Sequence, residues 1–241
     1  MSNFIMVEIA SEVRDRFPEI RCGAFRALGL DVIDSQAFKL DDAAVRDALA
    51  SQGLSIETVT QDSRIAAWRA AIQACGLKAA KVRGSAEQLV RRYLRGDRIG
   101  GPALVRMYCG VSAKAVAPLG AYDVDRLPSA PIQLRFARPT DMFEPLGGNV
   151  ADMPLAPTIP VYVAGDQVLC WMFNVRDAQA TALSDSTREA LFLTESLTPL
   201  QTESSAEALT SLRELLEMAG ANVSPIAWNK GDGRISLSPD W

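Results

Sequence analysis

The chain has 241 residues, 48% of them hydrophobic, and a formal net charge of −4 with a pI near 5. That is enough apolar mass for a full core without metal or disulfide staples, and the acidic balance excludes a wholesale nucleic-acid coat while leaving room for a local basic patch. The sequence contains no histidine, which excludes Ser–His and Cys–His dyads, H-E-x-x-H zinc sites and imidazole acid–base work near pH 7.

In chain order, Phe4 to Ile9 is a short apolar run that predicts a strand, and Ser11 to Phe17 predicts a helical turn before Pro18. Cys22 to Val32 reads as a strand interrupted by Gly23 and Gly29. Asp41 caps a predicted helix to about Ser51, closed by Gly53. Ser63 starts a firmer one, with Ile65, Trp68, Ile72 and Cys75 on one face and Gly76 at its end.

Ser85-Ala86-Glu87-Gln88 has the form of a capping box, with Ser85 at the N-cap of a helix to Leu94 and Gly96 behind it. Leu89, Val90, Tyr93 and Leu94 then face inward. Arg91, Arg92, Arg95 and Arg98 are expected to point outward, joined by Lys78, Lys81 and Arg83 from the preceding loop. Such a single-sign run in an acidic chain is either a solvated face or a phosphate-binding patch. Pro102 opens a short predicted helix that Gly110 ends.

The stretch from Val116 to Leu146 carries a Pro-Leu-Gly turn, an acidic Tyr-Asp-Val-Asp-Arg step and an alternating strand. In that strand Ile132, Leu134 and Phe136 are expected on one face, with Gln133 and Arg135 on the other. Pro154, Pro157 and Pro160 mark an extended loop. Val161 to Ala164 and Val168 to Phe173 predict a hairpin across Gly165-Asp166-Gln167. Thr181 to Thr187 is a polar connection, and Ala190 to Leu197 is a strand with Glu195 as its one charge. Ser205 to Ala219 predicts an amphipathic helix, followed by closing strands at Val223 to Trp228 and Arg234 to Leu237.

No repeat or linker divides the chain, so one domain over residues 1–241 is expected. The four cysteines, Cys22, Cys75, Cys109 and Cys170, form no C-x-x-C pair and are expected to be reduced thiols. Charges at Glu8, Glu12, Arg14 and Asp15 break any N-terminal apolar run, and no stretch approaches a membrane span. The expected location is the cytoplasm, without a membrane partner.

Trp68-Arg69 with Gly76, Ser85-Ala86-Glu87 followed by Arg91-Arg92 and Gly96, and then Val111-Ser112 and Pro118 form the first half of an ordered series. The Gly120-Ala121-Tyr122-Asp123-Val124-Asp125 run, Leu134-Arg135, Tyr162, the Cys170 to Asn174 to Arg176 spacing, Thr181 and Thr187 complete it. From about Trp68 to Leu197 this series resembles the editing domain of the phenylalanyl-tRNA synthetase β subunit, in its free-standing form. The resemblance implies an α+β fold, with a central, mostly antiparallel sheet and flanking helices. It also implies a pocket that hydrolyses wrongly charged aminoacyl-tRNA in trans, with no cofactor and no metal. The pocket positions that go with it are Tyr108, Cys109, Gly120, Tyr122, Asn174, Arg176 and Thr181; the basic run of Lys78, Lys81, Arg83, Arg91, Arg92, Arg95 and Arg98 is the separate candidate for holding tRNA.

The sequence departs from that pattern at several points. Gly120 stands where synthetase versions carry a histidine. Arg106 and Cys109 stand where free-standing versions tend to have an Asp and an Asn, and a Gly-Glu ahead of Tyr162 is missing.

Ester hydrolysis requires a held water, donors for the oxyanion and an oriented substrate. Glu195 is the candidate base or α-ammonium ligand, the alternative being an edge-facing surface carboxylate. Cys109 has nothing nearby in sequence to activate it and is expected to be an inert thiol. Asn174 and Arg176 either line a pocket mouth or fix the turn after the hairpin. Tyr108 and Tyr122 either stack on a ligand or pack in the core. Asp123 and Asp125 are expected to order their turn rather than bind metal.

Three functions follow from this reading. The first is a deacylase acting on tRNA. The second is a repurposed relative acting on a free amino acid, for example in condensation with an aldehyde. The third is a non-catalytic binding module.

Overall fold

The computed structural model describes residues 4–239 and 241. The chain runs β1 (Ile5–Ile9), α1 (Ser11–Arg16), β2 (Arg21–Leu28), α2 (Asp42–Ser51), α3 (Ser63–Ala74), α4 (Ser85–Arg95) and α5 (Ala103–Ala115). It continues through β3 (Gly120–Asp123), β4 (Ile132–Phe136), β5 (Pro160–Ala164), β6 (Gln167–Trp171), β7 (Arg176–Asp177) and β8 (Glu189–Ser196). It closes with α6 (Pro199–Met218), β9 (Asn222–Val223), β10 (Ala227–Trp228) and β11 (Arg234–Leu237). No helix among the described residues is long and apolar enough to cross a membrane.

The α+β class and the antiparallel bias are as expected, but the strands form two sheets rather than one central sheet. The first has the order β11-β1-β4-β5-β6-β7 and the second β10-β2-β8-β3, with β9 also on β2. The β1–β4 pair is parallel and the other strand pairs are antiparallel.

Alternation along β8 shows why two sheets form. Leu191 and Leu193 share an apolar cluster with Leu134, Val161 and Tyr162 of the first sheet. Ala190 and Phe192, on the opposite face, pack with Leu104 and Met107 of α5 and Leu209 and Leu212 of α6. Both faces of β8 are therefore covered, and every residue of the strand is buried. A third cluster, containing Val45, Leu49, Val90 and Tyr93, ties α2 and α4 to the flank of α5.

Several expectations fail for identifiable reasons. Gly110 does not end α5 but sits inside it, because α5 passes so close to Leu40 that an added Cβ would fall 2.0 Å from that side chain. The helix ends instead at Val116, whose φ of 53° is left-handed, just before Pro118 turns the chain into β3. β2 stops at Leu28, where Gly29 adopts a φ of 81°. α6 begins six residues earlier than expected, because Pro199 suits its first turn and the Thr198 hydroxyl accepts the Gln201 N–H at 3.3 Å.

Arg135 does not face solvent. β4 is flanked by β1 and β5, and Asp141 folds back over it to accept both guanidinium nitrogens at 2.9 and 2.7 Å. Arg26 of β2 and Glu189 of β8 form a second buried ion pair.

Candidate active site

Between α4, α5 and the ends of both sheets lies a cavity of about 240 Å3. Glu195, the last charge of β8, stands in its wall and is 3% exposed, which rules out the edge-facing alternative. Its position follows from strand order, because β8 runs between β2 and β3. Glu195 shares the odd-numbered face of β8 with Leu191 and Leu193, and that face looks toward the first sheet.

Two donors hold the carboxylate. The Asn174 amide donates to Oε1 at 2.5 Å, and the Tyr162 hydroxyl, from β5, donates to Oε2 at 3.2 Å. Burial pushes the Glu195 carboxyl up to about 7; the Asn174 and Tyr162 hydrogen bonds oppose that rise, and nearby Asp177 adds to it. A carboxylate with that affinity for protons can take one from water at neutral pH and give it back.

Asn174 is placed by an unusual turn. Met172 and Phe173 leave β6 with φ values of 52° and 57°, left-handed for two consecutive non-glycine residues. Both are fully buried, and Phe173 sets its ring edge-on against Trp68 and Phe17 at 5.4 and 5.3 Å. That packing compensates a backbone cost of order 1–3 kcal/mol per residue, and it is the core role expected of Trp68.

The expected capping box is absent. Gly84 is the N-cap of α4 and Ser85 its first helical residue. The cap comes from across the fold: Asn174 Oδ1 accepts the Ser85 N–H at 3.0 Å and the Ser85 hydroxyl at 3.1 Å. With Oδ1 committed to Ser85, the amide nitrogen must face Glu195. One side chain thus caps a helix and orients the candidate base, a link invisible in a sequence where the partners lie 89 positions apart.

Of the expected pocket residues, Tyr108, Cys109, Gly120, Tyr122, Asn174 and Arg176 all line this cavity. Thr181 does not; it is buried beside the last residue of β3, where its carbonyl accepts the Asp123 N–H at 3.0 Å. Asp123 accepts the Thr187 hydroxyl at 2.8 Å and the Asp125 N–H at 3.1 Å, the turn-ordering role expected of it. Arg176 donates to the Leu146 carbonyl at 3.4 Å, pinning the loop that borders the cavity.

Asp177, not among the expected site residues, also lines the cavity. It pairs with Cys170 across β6 and β7. Burial raises its carboxyl to about 6, against the opposing pull of the Cys170 thiol and Arg176.

Cys109 is half-buried and its thiol is pushed up to about 12, by burial first and then by Asp177. It is a wall residue and not a nucleophile. Cys109→Ser is expected to change any turnover by less than about twofold, and alkylation of Cys109 by iodoacetamide at pH 8 to be far slower than that of a free thiol; mass spectrometry and a rate comparison check both. All four cysteines are free thiols.

The basic run divides in two. Arg91 does not project outward: it is half-buried and donates to Glu87 Oε1 at 2.9 Å. Glu87 is 2% exposed and also accepts Arg69 at 3.0 Å, with Arg83 at 3.7 Å. Only a buried anion explains why these arginines gather there. Lys78, Lys81, Arg92, Arg95 and Arg98 are exposed. Arg92 follows Ser85, Gln88 and Leu89 along the face of α4 that lines the cavity, so the patch begins at the mouth of the pocket.

Compared with known proteins, residues 67–217 match the B3/4 domain family, which covers more than half of the chain. Among solved structures, the chain is similar to an N-terminal fragment of the phenylalanyl-tRNA synthetase β-subunit from Pyrococcus horikoshii, at 14% identity and a TM-score of 0.47. That likeness covers 97% of this chain and 54% of the fragment, so the chain spans about half the fragment's length. No curated protein sequence matches. The chain therefore belongs to the B3/4 domain family.

Proposed function

We propose that this protein is a free-standing editing hydrolase that cleaves the ester bond of wrongly charged aminoacyl-tRNA in trans. The observation that carries the reading is Glu195: buried in a small pocket, oriented by Asn174 and Tyr162, and titrating near 7. The Glu195 carboxylate takes a proton from water as the water oxygen attacks the ester carbonyl. The tetrahedral intermediate then collapses, and Glu195 returns the proton to the departing ribose oxygen. Tyr108 and Tyr122 line the same cavity, and their hydroxyls have no hydrogen-bond partner among the described residues.

A cavity of about 240 Å3 falls below the roughly 300–1,000 Å3 usual for drug-sized ligands. It suits an aminoacyl group with the nucleotides left outside, against Lys78, Lys81, Arg92, Arg95 and Arg98. The test is a deacylation time course on a panel of correctly and wrongly charged tRNAs. Rapid release of one or a few amino acids supports the reading, and a flat panel at high enzyme concentration ends it.

The charge patch gives an independent measurement. Replacing Lys78, Lys81, Arg95 and Arg98 by Ala is expected to weaken tRNA binding and flatten the slope of log K against log salt by about 0.7–0.9 for each phosphate no longer neutralised. An unchanged slope removes the patch from the tRNA path.

A second reading, action on a free amino acid, is favoured by Gly120, where an added Cβ would meet nothing within 4 Å. That space beside the pocket suits a second reactant such as an aldehyde. A flat tRNA panel together with binding of a free amino acid would favour it.

A further inference from the structure

We infer that the pocket selects the α-aminoacyl group as a cation, with Asp177 as the anchor of the α-ammonium, so that its substrates carry a free amine beside an uncharged carbonyl. The inference rests on the hydrolase reading and deepens it.

Two carboxyl groups, Glu195 and Asp177, and two guanidinium groups, Arg92 and Arg176, line the cavity, and they are not paired with one another by hydrogen bonds. Each Glu195 oxygen already accepts one hydrogen bond, from Asn174 and from Tyr162, and keeps a lone pair for the attacking water. Asp177 accepts the weak Cys170 thiol donor and feels the charge of Arg176, but it has no nitrogen or oxygen donor among the described residues. The two cations in the lining donate to backbone carbonyls, Arg92 to Arg98 at 2.6 Å and Arg176 to Leu146 at 3.4 Å, while the Arg176 Nε is buried without a partner among the described residues.

The hydroxyls of Tyr122, 2% exposed, and Tyr108, 8% exposed, also lack partners while lining the same space. An ammonium group supplies what is missing, since its three N–H donors can satisfy a carboxylate and two hydroxyl oxygens at once. A free amino acid fits less well, because an amine held by Asp177 would bring its own carboxylate up against Glu195. Esterification to tRNA removes that charge and keeps the amine. The same pocket therefore discriminates against free amino acids, the products of the reaction, and against N-acylated groups.

Calorimetric titration of the intact protein with L-amino acid amides, the matching free amino acids and the matching N-acetyl amides tests this without any turnover. At least one amide is expected to bind, with its free acid and N-acetyl forms at least tenfold weaker. Asp177→Asn is expected to weaken that amide at least tenfold and leave the N-acetyl form unchanged, with Asp177→Glu recovering part of the loss. Equal binding of the three probe types, wild-type binding by Asp177→Asn, or no amide binding up to millimolar concentration each overturns the assignment. Should Asp177→Asn fold poorly, the three-probe comparison on the wild-type protein still decides. Deacylation without amide discrimination would defeat the ammonium assignment alone, whereas discrimination without deacylation would defeat the hydrolase reading alone.

Discussion

Glu195→Gln is expected to lower kcat/KM for aminoacyl-tRNA deacylation by at least about 10²-fold and, at the same time, to stabilise the folded protein at pH 8. The first effect follows from removing the base while keeping an acceptor for Asn174 and a partner for Tyr162. The second follows from linkage. The Glu195 carboxyl titrates near 7 when folded, against an ordinary value of 4.5. The folded state therefore holds this proton more tightly than the unfolded chain, and its contribution is fully present below about pH 4.5.

That contribution fades as pH rises through 7, a loss on the order of 3 kcal/mol. Glutamine carries no such loss. Melting curves from pH 4.5 to 8.5 should show the variant and the wild type diverging as pH rises, with the variant the more stable at the alkaline end. The wild-type rate should climb through the same window, because the base acts deprotonated. Full activity in Glu195→Gln would end its assignment as base.

Glu87→Ala is expected to cost about 3–5 kcal/mol of stability, the usual penalty for removing one partner of a buried ion pair. Arg69 and Arg91 would both be deprived of the carboxylate they share, in a part of the fold where α4 has to be held correctly for Ser85 to meet Asn174. Denaturant unfolding measures the loss, and a change under about 1 kcal/mol would show that the three arginines do not depend on Glu87. The same cluster bears on how tRNA binding is tested. Arg91→Ala perturbs folding rather than phosphate binding, so a loss of activity in that variant says nothing about tRNA. The exposed Lys78, Lys81, Arg95 and Arg98 are the informative positions.

What was legible in the sequence was mostly local. Asp41 does cap α2, its carboxylate accepting the Ala43 N–H. The β5–β6 hairpin does turn at Gly165-Asp166, and Glu195, expected on an apolar strand, lies buried in the cavity wall. The failures share a cause, which is that the deciding partner lies far away in the chain. Ser85 has the right residues for a capping box, yet Asn174 supplies a better cap from 89 positions on. Arg91 falls on the polar side of a helical wheel, but the wheel cannot show that Glu87 is buried beneath it. Gly110 resembles a helix stop until Leu40 is seen lying against it. Asp177 looks like an ordinary turn residue because nothing local reveals that β7 returns beside Cys170 and borders the cavity.

The turn at Met172 and Phe173 also sets limits on how such a site can diverge. Its backbone asks for glycine, while the space between the sheets asks for large apolar side chains, and no single residue type meets both demands. Relaxing the backbone would pull the Phe173 ring away from Trp68 and Phe17, and keeping the ring in place keeps the strain. These two positions are therefore frozen by opposing selection. Val175 and Arg176, downstream and free both of that conflict and of the Ser85–Asn174–Glu195 link, can be exchanged on an unchanged frame. New specificities in descendants of this chain should accumulate at those two positions, leaving the buried pair and Asn174 alone.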